Sequence, residues 1–373
     1  MSGRTVGTKQ HLATPALPGK AAPILVVGGS GFLGSNLADS FLRDGEHVIV
    51  LDNLSRAGVE RNLEWLVSTH GRAVETLIAD IRDRAAIEPA FRNAKAVFHF
   101  AAQTAVTTSL ERPTEDFETN ARGTLNVLEA ARLAGRRAPV IFASTNKVYG
   151  ALGHMEMRDV AGRYMPAGEA TREHGVGEDQ SLDFCTPYGC SKGVADQYVL
   201  DYARSFGLPT AVLRMSCVYG PRQFGTEDQG WVAHFLIRAL AGEPISIYGD
   251  GKQVRDILHV TDAVAAYRAV LKSIDRLKGR AFNLGGGPGN AVSIAEVLSE
   301  IELLTGRRLS TAKSDWRAGD QLYFVADTRA IADALGWKAG VPWREGLRDL
   351  YAWLHDDWGE VSRIRHLPRR VTA

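Results

Sequence analysis

Cysteine is scarce in this sequence: Cys185, Cys190 and Cys217 are the three in 373 residues. Three cannot all pair and none stands in a CxxC motif, which excludes a disulfide framework or a thiolate metal site as the organising feature. Reduced thiols and a cytoplasmic location are the expectation. The ten histidines show no HExxH or comparable ligand spacing, so no metal is expected. An excess of charge is also missing, with 44 Lys plus Arg against 43 Asp plus Glu. That balance argues against a nucleic-acid partner. No apolar run approaches the roughly 18 residues of a membrane span, so no membrane partner is expected either. There is no internal repeat and no low-complexity tract. Residues 1–22 lack the roughly 7–15-residue apolar core of a signal peptide and read as a disordered tail.

What is present is a chain with 45% apolar residues, long enough for two domains or one large domain with an added lobe. Order begins at Pro23. The run ILVV (24–27) is short and continuously apolar, as for a parallel strand covered on both faces. GGSGFLG (28–34) follows, and then a helical pattern with Leu33, Leu37 and Phe41 on one face and Gly45 as its stop. HVIVLD (47–52) is the next strand. Gly29, Gly31 and Gly34 satisfy GxGxxG, and Gly28, Gly31 and Gly34 satisfy GxxGxxG. Such glycines let the backbone turn tightly against a pyrophosphate at a helix N-terminus. Asp52 lies 18 residues beyond Gly34, near the spacing of a carboxylate that binds the adenosine ribose. A carboxylate there repels a 2′-phosphate, so NAD is expected over NADP, with the nearby Arg56 acting against that preference.

The alternation continues. Strands are predicted over 74–80, 96–102 and 139–145, with helices near 83–92 and 117–134. The fold class is α/β, a Rossmann-type doubly wound parallel sheet. Asp80, Ala101, Ala102, Gln103 and the stretch Ser144-Thr145-Asn146-Lys147 all fall at carboxyl ends of strands, where open parallel sheets bind ligands.

A second pattern, YGCSKGVADQYVLDYARSFG (188–207), is a helix that follows Pro187 and stops at Gly207. Tyr188 and Lys192 are one turn apart on one face. Removing hydride from a carbinol carbon requires a base for the hydroxyl proton, and a free phenol with a pKa of about 10 is a poor one. An ammonium about 4 Å away contributes roughly 4 kcal/mol at an effective dielectric of about 20. That is an upper scale before Lys192's own desolvation is subtracted; with the positive nicotinamide ring adding to it, Tyr188 is expected to titrate near working pH, where acid–base catalysis is efficient.

Together the glycine turn, Asp52, the strand-end Ser-Thr, the YxxxK pair and YGDGKQVRDILHV (248–260) resemble the extended short-chain dehydrogenase/reductases that act on nucleotide-sugars, from Pro23 to about residue 355. More closely, STNKVYG (144–150), DNLSRAG (52–58), NLEWL (62–66), TPYGCSKGVADQY (186–198) and YGPRQFGTEDQGWV (219–232) are similar to the CDP-paratose 2-epimerases, also called CDP-tyvelose 2-epimerases. Dehydratases of this superfamily carry an acid pair where Asn146 and Lys147 stand, and related decarboxylases retain a Glu. Their absence leaves reversible oxidation and reduction, the chemistry of an epimerase.

The resemblance implies NAD as cofactor and Thr145, Tyr188 and Lys192 as the catalytic set. Gly28, Gly31, Phe32, Leu33, Gly34, Asp52, Asn53, Ser55, Arg56, Asp80, Ile81, Ala101, Ala102, Gln103, Asn120 and Ser144 would hold the cofactor, with Tyr188 and Lys192. Thr108, Asn146, Lys147, Ser216, Arg222, Gln223, Gln253, Arg255, Arg317 and Asp320 would face a nucleotide-diphosphate sugar, Arg255 and Arg317 as a diphosphate clamp. The organisation implied is a tail (1–22), an NAD-binding domain (23–215) and a smaller C-terminal lobe (216–373) with segments returning to the sheet. Trp231–Leu240 reads as an apolar helix of that lobe, and 151–180 as a long polar segment of the kind that forms lids. A homodimer or higher homo-oligomer is expected by analogy. The competing readings are a 4-epimerase of the UDP-glucose type and a non-catalytic NAD-binding protein of the same fold.

Overall fold

Seven parallel strands form the central sheet: β1 (Ile24–Val27), β2 (Val48–Asp52), β3 (Val74–Ile78), β4 (Ala96–His99), β5 (Val140–Thr145), β6 (Thr210–Met215) and β7 (Arg280–Leu284). They are seen in a computed structural model that describes residues 22–358. The tail expected over 1–22 lies, up to residue 21, outside the described residues, as does the end of the chain from 359. The order across the sheet is β7-β6-β5-β4-β1-β2-β3. It reverses between β1 and β4, which opens a crevice above their carboxyl ends.

β1 is continuously apolar because both of its faces are covered. Ile24 and Val26 pack with Leu37 and Phe41, while Leu25 and Val27 pack with Ile87, Phe91 and Val127 on the other side. The helix predicted over 117–134 begins with a wider π turn at Glu118–Arg122 and continues as Gly123–Leu133.

Beyond β6 the chain leaves the sheet and comes back. Helix Val260–Lys272 places Val264 and Tyr267 in the core that also holds Ile24 and Phe98, and β7 then pairs with β6 along its full length. The segments between and after these build the lobe. Its central strand, Val254–His259, pairs with Cys217–Tyr219, Ala291–Ser293 and Tyr323–Phe324. Helices Trp231–Ala241, Ile294–Thr305 and Trp343–Asp356 close a separate apolar core over it.

The segment 151–180 has more structure than its composition suggests. Met157–Val160 and Arg163–Pro166 form an antiparallel hairpin, and Glu169–His174 a short helix. The two-residue turn has Ala161 at φ 51 and Gly162 at φ 80. Two successive positive φ values match the twist of a hairpin, and the Gly162 N–H donates to Asp159 Oδ1 at 3.1 Å. The hairpin is fastened to the lobe. Lys252 pairs with Asp159 at 2.6 Å, and the Tyr164 hydroxyl donates to Asp250 at 2.6 Å.

Candidate active site

At the end of β1 the backbone turns through Gly28, whose φ of +79 and whose position against Ala101 exclude a side chain: a Cβ would lie 2.4 Å from the Ala101 nitrogen. A Cβ on Gly34 would lie 2.2 Å from the Gly28 carbonyl oxygen, so helix and turn meet this closely only because residue 34 is glycine. Helix Phe32–Arg43 starts from Gly31 with no side-chain cap and no acidic residue in its first turn. Its unpaired N–H groups and positive end therefore suit an anion such as the pyrophosphate of a dinucleotide. The cavity above it is lined by Gly28, Gly31, Phe32, Leu33 and Gly34, then by Asp52, Asn53, Ser55, Arg56, Asp80 and Ile81, and on its far wall by Ala101, Ala102, Ser144, Tyr188 and Lys192. Gln103 and Thr108 line an adjoining cavity that shares Asn53, Ser55 and Arg56.

Asp52 accepts the Ser30 N–H at 3.0 Å and the Leu54 N–H at 2.9 Å, so the acid also braces the glycine turn. Burial pushes its carboxyl up, against the backbone N–H groups and Arg56. Arg56 is itself depressed by burial and donates to Thr104 at 3.3 Å. Burial also acts to raise Asp80, but the bidentate bonds from Arg82, with help from Asn53, overrule it and hold the carboxyl below its ordinary value. We expect Asp52→Ala to weaken NAD on the order of 10–100-fold, the scale of one charged hydrogen-bond acceptor, and to narrow the preference for NAD over NADP. Titration of both dinucleotides measures this. NADP bound more tightly than NAD by the unmodified protein would contradict the role given to Asp52.

The helix that carries Tyr188 and Lys192 runs over Thr186–Phe206, with Pro187 in its first turn. Tyr188 and Lys192 are both buried, at 8% and 4% exposure. Lys192 Nζ donates to the Ala143 carbonyl at 2.7 Å and lies 4.1 Å from the centre of the Phe142 ring. Burial pushes Lys192 down to about 7, although Asp196 and Asp116 pull it upward. Tyr188 is pushed up to about 12 by burial; the hydrogen bond with Thr145 opposes this and Asp116 adds to it. In the protein alone Lys192 therefore does not bring Tyr188 near working pH, an expectation that also counted the positive nicotinamide ring of a bound dinucleotide. The ammonium is committed to a carbonyl and loses its own solvation, while the phenol is sealed from water.

Several side chains brace this site from behind, and Asp116, Ser191, Asp196 and Arg214 among them carry no signal in the sequence. Asn120 lies behind the cavity and does not line it. Its amide accepts from Gln103 N–H at 2.8 Å and donates to the Gln103 carbonyl and to Ser191, which in turn donates to buried Asp116. Ser144 donates to Asp196 at 2.7 Å, and Arg214 makes two 3.0 Å bonds to the same carboxylate. Arg214 continues to the Tyr149 hydroxyl, and Tyr149 to Asn283 on β7.

Seven of the ten residues expected to face a substrate fall into three groups. Lys147 and Arg255 converge on Asp320 Oδ1, at 3.3 Å and 2.7 Å, and burial depresses Lys147 against the pull of Asp320. Asn146 is buried beside them with its amide nitrogen on Gln321. Ser216 donates to Asp256, a buried carboxyl that desolvation raises to about 6. Around Tyr248, Arg317 lies 3.9 Å from the ring centre and donates to the Glu227 carbonyl, while Gln253 donates to the Tyr248 carbonyl. Arg317 Nε and Gln253 Oε1 are buried there without a partner. The diphosphate clamp expected from Arg255 and Arg317 is thus two separately held guanidiniums. Arg222 and Gln223 lie apart from these groups and line the dinucleotide cavity. Arg222 has φ 72, and its guanidinium lies 4.1 Å from the Trp65 ring centre.

Comparison with known proteins agrees with this geometry. Residues 24–285 match the model of the NAD dependent epimerase/dehydratase family. The chain is 42% identical over 337 residues to the CDP-paratose 2-epimerase of Salmonella typhi, covering 88% of this chain and 98% of that protein. The UDP-glucose 4-epimerase of Thermotoga maritima, solved with UDP-glucose, superimposes with a TM-score of 0.77 at 31% identity, over 90% of this chain and 99% of that one. The UDP-glucose 4-epimerase of Thermus thermophilus, solved with NAD, gives 0.73 at 32% identity, over 89% and 99%.

Proposed function

The chain belongs to the NAD dependent epimerase/dehydratase family, and from that premise we propose that it is a nucleotide-sugar epimerase inverting C2 of a CDP-hexose of the paratose/tyvelose type. The observation that carries the reading is a complete oxidising apparatus beside a strand end that has no elimination acid. Tyr188 and Lys192 stand on the wall of the dinucleotide cavity and Thr145 meets the Tyr188 phenol, while positions 146 and 147 are an amide and an amine. NAD, when bound, supplies a reversible hydride acceptor whose oxidised ring is cationic. Tyr188 takes the sugar hydroxyl proton and later returns it. Lys192, at the other end of the same helical turn, orients the bound dinucleotide, and Thr145 steadies the reacting oxygen. Asn146 and Lys147 offer no carboxylate to expel water from a keto-sugar. Arg317 Nε and Gln253 Oε1, a donor and an acceptor without partners beside Tyr248, support a nucleotide lying there. A homodimer belongs to the same reading, through helices Val106–Glu111, Pro113–Phe117 and Thr186–Phe206, on which Leu110, Phe117, Tyr198 and Phe206 stand exposed.

The resemblance to the two UDP-glucose 4-epimerases makes C4 the rival carbon. Isotope labelling separates them. A CDP-hexose deuterated at C2 is expected to react more slowly and to return its label to C2 of the product, with no solvent deuterium entering that position in heavy water. An isotope effect from C4 instead would favour the 4-epimerase. Rapid solvent exchange at C2 would refute direct oxidation there even if the epimerised sugar were formed.

A further inference from the structure

Between strand Cys217–Tyr219 and helix Trp231–Ala241, both parts of the lobe, the chain makes an excursion over the dinucleotide crevice. Arg222, Gln223, Phe224 and Gln229 line the dinucleotide cavity, and Asp228 lines the adjoining one.

The segment is fastened on one side to helices that follow β1 and β2. Asn36 Nδ2, on helix Phe32–Arg43, donates to the Pro221 carbonyl at 3.1 Å. Asn62 Nδ2, on helix Val59–His70, donates to the Arg222 carbonyl at 3.2 Å and to the Ser30 carbonyl of the glycine turn at 3.1 Å. One buried amide thus joins the segment to the turn. The Arg222 guanidinium adds its contact with the Trp65 ring of the same helix. On the other side the attachment is to helix Val106–Glu111, which follows β4: the Thr107 hydroxyl donates to Asp228 Oδ1 at 2.7 Å. The crevice opens between β1 and β4, so these attachments stand on its two walls and the segment spans it.

The two sides differ in kind. Near Pro221 and Arg222 the bonds go to backbone carbonyls and fix the path of the chain. At Asp228 two short side chains meet, and rotation about single bonds parts them. A tight turn carries Asp228 to that contact: Thr226 and Gln229 exchange backbone bonds of 2.9 Å and 3.1 Å. The residue in between, Glu227, is held from the lobe by Arg317 on its carbonyl and by the Tyr248 hydroxyl on its carboxylate, at 2.8 Å and 2.9 Å.

We propose that residues 221–229 are a strap that keeps the dinucleotide in its crevice, anchored at Pro221 and Arg222 and closed by the hydrogen bond from Thr107 to Asp228. An epimerase removes and returns one hydride, so the dinucleotide that takes it has to stay for the whole cycle. The strap opens when Asp228 parts from Thr107. That bond joins protein to protein and not protein to dinucleotide. Its strength therefore sets how fast the dinucleotide enters and leaves, and hardly alters how tightly it is held at equilibrium.

The test follows release of radiolabelled NAD from the loaded protein during a chase with excess unlabelled NAD, alongside equilibrium dialysis of the same label. Thr107→Val, which keeps the shape of the side chain and removes its donor, is expected to speed release on the order of tenfold, the scale of one hydrogen bond to a charged acceptor. Asp228→Ala should speed release at least as much, and adding Thr107→Val to it should go no further. The dissociation constant should move far less than the release rate. Unchanged release in folded Thr107→Val protein overturns the proposal. So does a dissociation constant that rises by the same factor as the rate, since the bond would then be supporting a direct grip on the dinucleotide. Should Thr107→Val not fold, either result in Asp228→Ala overturns it equally. Neither measurement needs a sugar, so a wrong carbon in the epimerase reading leaves the strap intact, and failure of the strap leaves the C2 assignment standing.

Discussion

Tyr188→Phe is expected to lower turnover on the order of 10²–10⁴-fold, the usual contribution of a positioned general acid–base group. The ring is preserved, so the wall of the cavity keeps its shape and NAD should still be retained. The size of the loss follows from the environment of the phenol. Burial holds it up to about 12 in the protein alone, and the ionisable groups nearest to it are already engaged. Lys192 is tied to the Ala143 carbonyl and Asp116 to Ser191 and Asn120. Steady-state rates with a CDP-hexose, together with dinucleotide content after purification, measure the two halves of the claim. Near-normal turnover would remove Tyr188 as the base.

Asp196→Ala should cost about 3–5 kcal/mol of folding stability, as when one partner of a buried ion pair is removed. Asp196 has no exposure, and Arg214 is at 5%. Burial works against the Arg214 charge, and the two bonds to Asp196 outweigh it and hold the guanidinium above its ordinary value. Without the carboxylate, Arg214 and Ser144 both lose an acceptor in a place water does not reach. Chemical denaturation gives the measurement. The double variant Asp196→Leu with Arg214→Met should regain most of the loss, because an apolar pair leaves no orphaned charge. A single variant that loses less than about 1 kcal/mol would show the pair to be solvated, as exposed pairs are.

The parts of this molecule that can be read from the sequence are those whose physics is local. Gly28 and Gly34 announce themselves because no other residue fits those positions, and Tyr188 and Lys192 because helical spacing alone places them together. The apolar runs of β1, β4 and β5 report burial on two faces in a few residues. What stays hidden depends on register between distant segments. Nothing near Gln321 indicates that it meets Asn146, and nothing in Asp196 or Arg214 says they face each other across helix and strand. The hairpin after residue 156 is concealed by Ala161, which occupies a left-handed position where Asn or Gly is the usual sign. Arg222 reads as a substrate contact in GPRQ, and no sequence signal shows its positive φ or its guanidinium over the Trp65 ring. The state of Tyr188 escapes the sequence because its depth is invisible there: a neighbouring cation can be counted and the loss of water cannot.

The path of the chain also bears on how the protein is made. β6 ends at Met215, and the strand that covers its open edge, Arg280–Leu284, is synthesised only after much of the lobe. Translation at about 5–20 residues per second leaves that edge unpaired for several seconds. During the same interval Ile24, Phe98 and their neighbours lack the helix Val260–Lys272 that completes their cover. A nascent chain halted before residue 260 is therefore a sheet with one exposed strand edge and one uncovered apolar face, the combination that recruits chaperones or other nascent chains.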